Sequence, residues 1–294
     1  MKPAPVTPVV ATDTIPHMPV WVTSVRGQTP EDVAFLSGAA LAHLHLVVHA
    51  DAVPQPLFRD RLALGAAEAC VVFTGRPERA AALRDAVHLM RPGDLPGPAG
   101  ETLVSWQRAV ARPVSVGMLA RALPGMDATQ IAGWLDAQEG GPVTRAAMVL
   151  QAVLADAPRA ETAALILADA ALARALGWTH MVPLLAAGLK RADLGKGDAD
   201  LEMACHRAVT ASVSHAARIA GDLARRAAHL QAVAPKLRAK AAGAAVQMFL
   251  TRDAVAPAGL PLPDRAARRL CDRLVSLGAV RELTGRDTFR LYGV

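Results

Sequence analysis

The stretch from Asp264 to Val294 constrains the fold more than any other part of this chain. It opens with a helix-compatible run, Asp264-Arg265-Ala266-Ala267-Arg268-Arg269-Leu270-Cys271-Asp272-Arg273-Leu274-Val275-Ser276-Leu277, and stops at Gly278. Ala267, Leu270, Leu274 and Leu277 recur at helical spacing and form an apolar stripe that needs a core. Arg265, Arg268, Arg269, Asp272, Arg273 and Ser276 fall mostly on the other side, and Asp264 is placed to act as the amino-terminal cap. Beyond Gly278, Val280 and Glu282 alternate with Arg281 and Leu283, as a short strand requires. Thr284-Gly285-Arg286-Asp287 suits a hairpin turn, with Gly285 free to take positive φ. Phe289 and Leu291 are expected to pack back on the helix, leaving Thr288, Arg290 and Tyr292 outward.

This helix, strand, turn and strand follow the order of a winged helix-turn-helix. In such a module the second helix lies in the major groove and its first turns meet base edges. Arginine suits the task because its guanidinium fork bonds guanine bidentately. The expected partner is therefore double-stranded DNA. Arg265, Arg268, Arg269 and Arg273 would approach the groove, with Arg286 and Arg290 on the wing. Lys236, Arg238 and Lys240, just upstream, would add phosphate contacts that give affinity without reading sequence. Arg268 and Arg269 also lie within helical reach of Asp264 and Asp272, so part of the basic face is open to self-pairing.

Charge supports the assignment of this end. Residues 217–294 hold 14 Lys+Arg and 6 Asp+Glu, whereas the preceding 216 residues hold 18 and 20, so the net +6 of the chain comes from its final quarter. Such asymmetry points to a polyanion partner.

The rest of the chain reads as helical. Of its 294 residues 52% are apolar but only 3% aromatic, so Ala and Leu must supply the core, which favours close-packed helices over sheets. Cys70, Cys205 and Cys271 are odd in number and far apart, so neither a disulfide framework nor a zinc site is expected, and a reducing cytoplasm is the default compartment. Prolines 3, 5, 8, 16 and 19 break up the amino terminus, which does not read as a signal peptide. Val33 to Ala50 lacks Asp, Glu, Lys and Arg for eighteen residues, but it contains three histidines and reads as a buried core helix, so no membrane partner is expected.

Helix boundaries follow from Pro, Gly and capping residues. Residues 1–29, rich in Pro and Thr, are expected to be extended or disordered. Thr29-Pro30-Glu31-Asp32 is a helix start, with Thr29 as cap and acids in the first turn. Helices are expected over about 30–50, 56–73, from 77 to before 91, 100–111, 115–123, 127–138, 142–156, 160–176, 180–190, 200–232 and 236–251. The fold class is mainly α: a multi-helical domain over 30–233, then a small winged helix-turn-helix over 234–294 with a two-stranded wing.

Several runs resemble a bacterial family known as domain of unknown function 1403. They are Arg84-Asp85-Ala86-Val87-His88-Leu89-Met90-Arg91-Pro92-Gly93-Asp94-Leu95-Pro96-Gly97-Pro98-Ala99-Gly100, Leu167-Ala168-Asp169-Ala170, Leu176-Gly177-Trp178, Val182-Pro183-Leu184-Leu185, Ala234-Pro235-Lys236-Leu237-Arg238-Ala239-Lys240, and Leu277 to Val294. The resemblance covers roughly residues 31–294 and implies no known activity. The tail is also similar to the winged helix that ends many Fic-domain proteins and to a second uncharacterised family described as helix-turn-helix DNA-binding. The Fic motif itself is absent, so AMP transfer is not implied.

The remaining constellations carry less. His45 and His49 are one turn apart near His43, but no Glu stands between them and no third ligand is placed, so no metal is expected. Cys205 and His206 are adjacent and point to different sides of a helix, which is not a catalytic pair. Asp85, His88, Arg91 and Asp94 surround the Pro- and Gly-rich loop and form a candidate ligand loop; a turn that clamps two helices is its plainer role. The loop is not a Walker A motif, and no cofactor is expected. Asp169, set among Ala and Leu, is expected to be a buried carboxylate bonded to a helix end. The reading is thus a non-enzymatic, DNA-binding, regulator-like protein whose helical domain binds a partner or a ligand, or dimerises. Two alternatives stand beside it: an interaction or scaffold module, and an enzyme of unrecognised type using the Asp85–Asp94 region.

Overall fold

A computed structural model describes residues 15–24, 27, 29–91, 93–137, 139–237 and 241–294. Arg238 and Lys240, two of the expected phosphate contacts, lie outside the described residues, as do Pro92 and the first fourteen residues. Thirteen α-helices occur among the described residues. They are α1 (Val20–Ser24), α2 (Pro30–Val48), α3 (Gln55–Phe73), α4 (Ala80–His88), α5 (Gly97–Val110), α6 (Val116–Ala122), α7 (Ala128–Asp136), α8 (Pro142–Asp156), α9 (Glu161–Ala175), α10 (Leu185–Gly188), α11 (Asp198–Val233), α12 (Ala242–Phe249) and α13 (Asp264–Ser276). Two short strands follow, β1 (Arg281–Glu282) and β2 (Tyr292–Gly293).

Local chemistry sets most of these boundaries. Thr29 and Asp32 form a reciprocal capping box at α2: the Asp32 N–H donates to Thr29 Oγ1 at 3.2 Å, and the Thr29 N–H donates to Asp32 Oδ2 at 3.3 Å. Ser115 caps α6, and Asp127 caps α7 by accepting from Thr129 N–H at 2.8 Å. α9 is the central helix: every residue from Ala163 to Ala173 is buried. α8 packs along it, α2 packs along α11, and α3 packs on α5. The 36 residues of α11 extend about 54 Å at 1.5 Å per residue. Leu201, Cys205, Ala208, Val209, Val213, Ala216, Ala220, Leu223, Ala227 and Leu230 form its buried stripe. Small residues let its neighbours approach closely. A Cβ added to Gly188 would lie 2.5 Å from the Ala208 carbonyl oxygen, so only glycine fits between α10 and α11.

α2 has the length and composition to cross a membrane; here Val33, Leu36, Ala40, Leu41, Leu44 and Val47 on it are buried in the protein.

Four expectations need correction. α1 forms within residues 15–24, where an extended or disordered segment is expected; Val22 is buried and Trp21 stacks on Phe35 with ring centroids 5.6 Å apart. The helix expected over 180–190 shrinks to α10. Pro183 disfavours helical geometry at Val182, and Asp169 takes the first two N–H groups at Leu184 and Leu185, so the helix can begin only there. The helix expected over 236–251 is reduced to α12, preceded by a 3-10 turn at Ala234–Lys236. α5 starts at Gly97 rather than 100.

At the carboxyl end, β1 and β2 pair antiparallel in the register Arg281↔Gly293 and Glu282↔Tyr292. On its other side Tyr292 exchanges both backbone hydrogen bonds with Val255, at 2.8 and 2.9 Å. β2 is therefore the middle of a three-segment ladder in the order 255, 292, 282. A 3-10 turn at Pro257–Gly259 joins the first segment to α13. Gly278, with φ +66, ends α13 in a left-handed conformation that a Cβ would oppose.

Candidate functional site

α13 buries Ala267, Leu270, Cys271 and Leu274 and exposes Arg265, Arg268, Arg269, Asp272 and Arg273. The stripe is as its spacing implies, with Leu277 half-buried at the end. Asp264 does not cap the helix. Pro263 occupies the cap position and makes no side-chain hydrogen bond there; Asp264 is the first helical residue, and its Oδ2 accepts from Arg268 Nη2 at 2.8 Å. Arg269 Nε donates to the Arg265 carbonyl at 3.3 Å. Among the described residues, Arg265, Arg269 and Arg273 form no ion pair. Lys236 is exposed at the 3-10 turn, well upstream of α13 in sequence.

The 284–290 loop behaves differently from the expected hairpin. Phe289 does not pack on the helix: it takes φ +54 and is 64% exposed, while Leu291 and Tyr292 are buried. The loop is longer than a two-residue turn, so strand alternation does not survive across it. Tyr292 is drawn in because its backbone pairs on both sides. Arg286, the expected wing-tip cation, donates from Nη2 to Asp85 Oδ1 on α4 at 2.7 Å. Arg290 lies 3.7 Å from Glu282 and 3.6 Å from Asp287. A groove of about 550 Å³ runs between α13 and this loop, lined among others by Asp264, Arg268, Asp272, Phe289 and Arg290.

Behind the ladder lies a polar seam that sequence reasoning missed. Asp253, two residues before the first ladder segment at Val255, is 1% exposed and accepts from Arg61 of α3 and Arg84 of α4. Arg84 Nη2 reaches Asp253 Oδ1 at 3.2 Å, and Arg61 Nη2 reaches the Val294 carbonyl at 3.2 Å. Asp60, the neighbour of Arg61, accepts from the Asp253 N–H at 2.8 Å and from Gln107 Nε2 of α5 at 2.9 Å. Burial raises the Asp253 pKa, but hydrogen bonds and charge from Arg84 and Arg61 outweigh it and hold the carboxyl below its ordinary value. Asp60 shifts the other way, because burial dominates its partners. The one sequence signal of this seam is the charged triplet Arg59-Asp60-Arg61 inside the mainly apolar α3.

The candidate ligand loop does not converge. Asp94 Oδ2 accepts from the Arg91 N–H at 2.8 Å while its own N–H donates back to the Arg91 carbonyl at 3.0 Å, a closed turn. Asp85 goes to Arg286, and His88 turns toward the seam, where its Nε2 is buried with no partner among the described residues. Burial lowers the His88 pKa.

Asp169 fits its expectation. It is 1% exposed and accepts from Leu184 N–H at 3.1 Å and Leu185 N–H at 3.2 Å, at the start of α10. Burial pushes its pKa up to about 7 against those two donors. Cys205 is buried and its thiol is pushed up to about 12, so it holds its proton; His206 meets Ser37 Oγ at 2.6 Å through Nδ1. His45 accepts from Trp178 Nε1 at 3.1 Å, and His49 Nδ1 meets the His45 carbonyl at 2.7 Å.

The architecture is that of a mainly helical protein with one short antiparallel ladder at its carboxyl end. The chain belongs to the family described as Protein of unknown function (DUF1403), whose model matches residues 7–294. No curated protein and no solved structure matches it.

Proposed function

We propose that this protein binds double-stranded DNA through residues 234–294, which act as a winged helix-turn-helix. The observation that carries this reading is the outer face of α13, where Arg265, Arg269 and Arg273 are exposed and form no ion pair among the described residues. The ladder order 255, 292, 282 around α13 supports a wing-like arrangement. Arg268 is partly neutralised by Asp264, and Arg286 and Arg290 sit beside acids, so the helix rather than the wing supplies the available charge. A regulatory role follows only by analogy with other modules of this shape.

The test is fluorescence anisotropy of random duplex DNA titrated with the full-length protein at two salt concentrations. Binding should weaken with salt by a log–log slope of about −0.9 per phosphate neutralised. The double variant Arg265→Ala, Arg273→Ala should reduce that slope by about 2. A folded double variant with an unaltered slope would sink the placement.

A second reading, docking of a protein partner, draws on the exposed Phe289 and Val275. It gains if the protein ignores DNA at low salt.

A further inference from the structure

Arg59 of α3 lies half-buried between two cavities that flank the foot of that helix, one of about 350 Å³ and one of about 230 Å³. Its Nε donates to the Val110 carbonyl at the carboxyl end of α5, at 3.1 Å. Its two terminal nitrogens make no hydrogen bond, and it forms no ion pair, among the described residues. The guanidinium is partly withdrawn from water with no carboxylate paired to it among the described residues, and burial lowers the Arg59 pKa.

The surroundings deepen the imbalance. The larger cavity is also lined by Arg252, Asp60, His88 and Gln107. Asp60 forms no ion pair with Arg59 among the described residues; its oxygens accept from the Asp253 N–H and from Gln107. Asp253 is taken by Arg61 and Arg84. Arg59, Arg61, Arg84 and Arg252 thus face two aspartates, a local excess of positive charge, and the side chain of Arg252 forms no ion pair among the described residues. The buried Nε2 of His88, on the same cavity, also lacks a partner among the described residues.

We propose that the larger cavity is a binding site for a small oxyanion, a carboxylate or phosphate group. Arg59 holds the anion through its guanidinium fork, Arg252 closes over it from the rim, and His88 supplies a further ring nitrogen. Planar two-point donation by arginine suits both oxyanion types. The site is distinct from the face of α13: it lies where α3, α4 and α5 meet the segment leading into the ladder.

The experiment is isothermal titration calorimetry of the full-length protein with inorganic phosphate and, separately, with succinate, each at constant ionic strength set with sodium chloride. Binding of phosphate alone, succinate alone or both supports the site, and the pattern identifies the group. Arg59→Gln and Arg252→Gln should each weaken binding by about tenfold, the loss of one charge-assisted contact. Arg252 is exposed and its side chain has no partner among the described residues, so its variant tests the site even if Arg59→Gln fails to fold. The Arg265→Ala, Arg273→Ala variant should bind as the parent does, which separates this site from the proposed DNA face. Absence of heat with both anions, full affinity in the Arg252→Gln variant, or loss only in the α13 variant overturns the proposal.

Discussion

Replacing Asp253 by Ala is the sharpest test of how the carboxyl-terminal ladder is held. The Asp253 side chain is 2% exposed, and those of Arg61 and Arg84 are 14% and 16% exposed. All three charges are therefore largely out of water, and removal of the carboxylate strands two guanidinium groups. Breaking a buried pair in this way costs about 3–5 kcal/mol. Arg61 retains its bond to the Val294 carbonyl and Arg84 has some access to solvent, so the lower part of that range applies. Against a total of roughly 5–15 kcal/mol this is a large fraction. Urea denaturation followed by circular dichroism measures it. Hydrogen exchange at the Val255 and Tyr292 amides reports whether the ladder loosens first, since Asp253 lies two residues from Val255. The triple variant Asp253→Leu, Arg61→Met, Arg84→Met removes the stranded charges along with the acid, and it should recover most of the loss. A cost below about 1 kcal/mol for Asp253→Ala, the value of an exposed pair, would refute the reasoning.

Two further outcomes follow from buried or clasped acids. Asp169 has a folded pKa of about 7 against about 3.9 when unfolded, so between those values the native state keeps a proton that the unfolded chain releases. Its contribution is greatest below the unfolded value and falls as pH rises: relative to Asp169→Asn, the wild type should lose about 1.4 kcal/mol per pH unit from pH 5 to pH 7. Parallel stability curves for the two proteins would contradict this. Asp253 has the opposite sign, since its folded pKa is lowered and its contribution is lost as pH falls into the acid range; the comparison at residue 169 cancels that background. Asp85→Ala should change stability by no more than about 1 kcal/mol, because its pair with Arg286 is partly exposed. In the DNA reading the same variant frees Arg286 and should steepen the salt slope by about 0.9. A shallower slope in the anisotropy titration would count against a role for the wing.

The parts of this fold legible in sequence are those decided by near neighbours. The capping box at Thr29 and Asp32, the stop at Gly278 and the stripe Ala267, Leu270, Leu274 each depend on residues within one or two helical turns. What escaped is decided at long range. Asp169 fixes where α10 begins from 15 residues away, and no local propensity at 180–190 contains that information. Phe289 and Tyr292 exchange inside and outside because Val255, far back in the chain, claims the Tyr292 backbone. The seam is the extreme case: Arg84 and Asp253 are 169 residues apart, and neither has a neighbour that announces the other.

α4 ties these long-range contacts together. It is a nine-residue helix that packs on α5 and α3 through Leu83, with Ala80 and Val87 against the core. Its polar side adds specific contacts: Arg84 reaches Asp253, Asp85 holds Arg286, and His88 lines the cavity beside Arg252. Residues 84, 85 and 88 share one face at helical spacing, so a single short helix touches the anchor of the ladder, the 284–290 loop and the proposed anion cavity. An anion drawn toward Arg59 and Arg252 would meet α4 through His88, which lines the same cavity. The run from Arg84 through the Pro- and Gly-rich turn thus has a structural part to play: Asp94 closes the turn after α4, and α4 joins α3 and α5 to the segments around the carboxyl-terminal ladder.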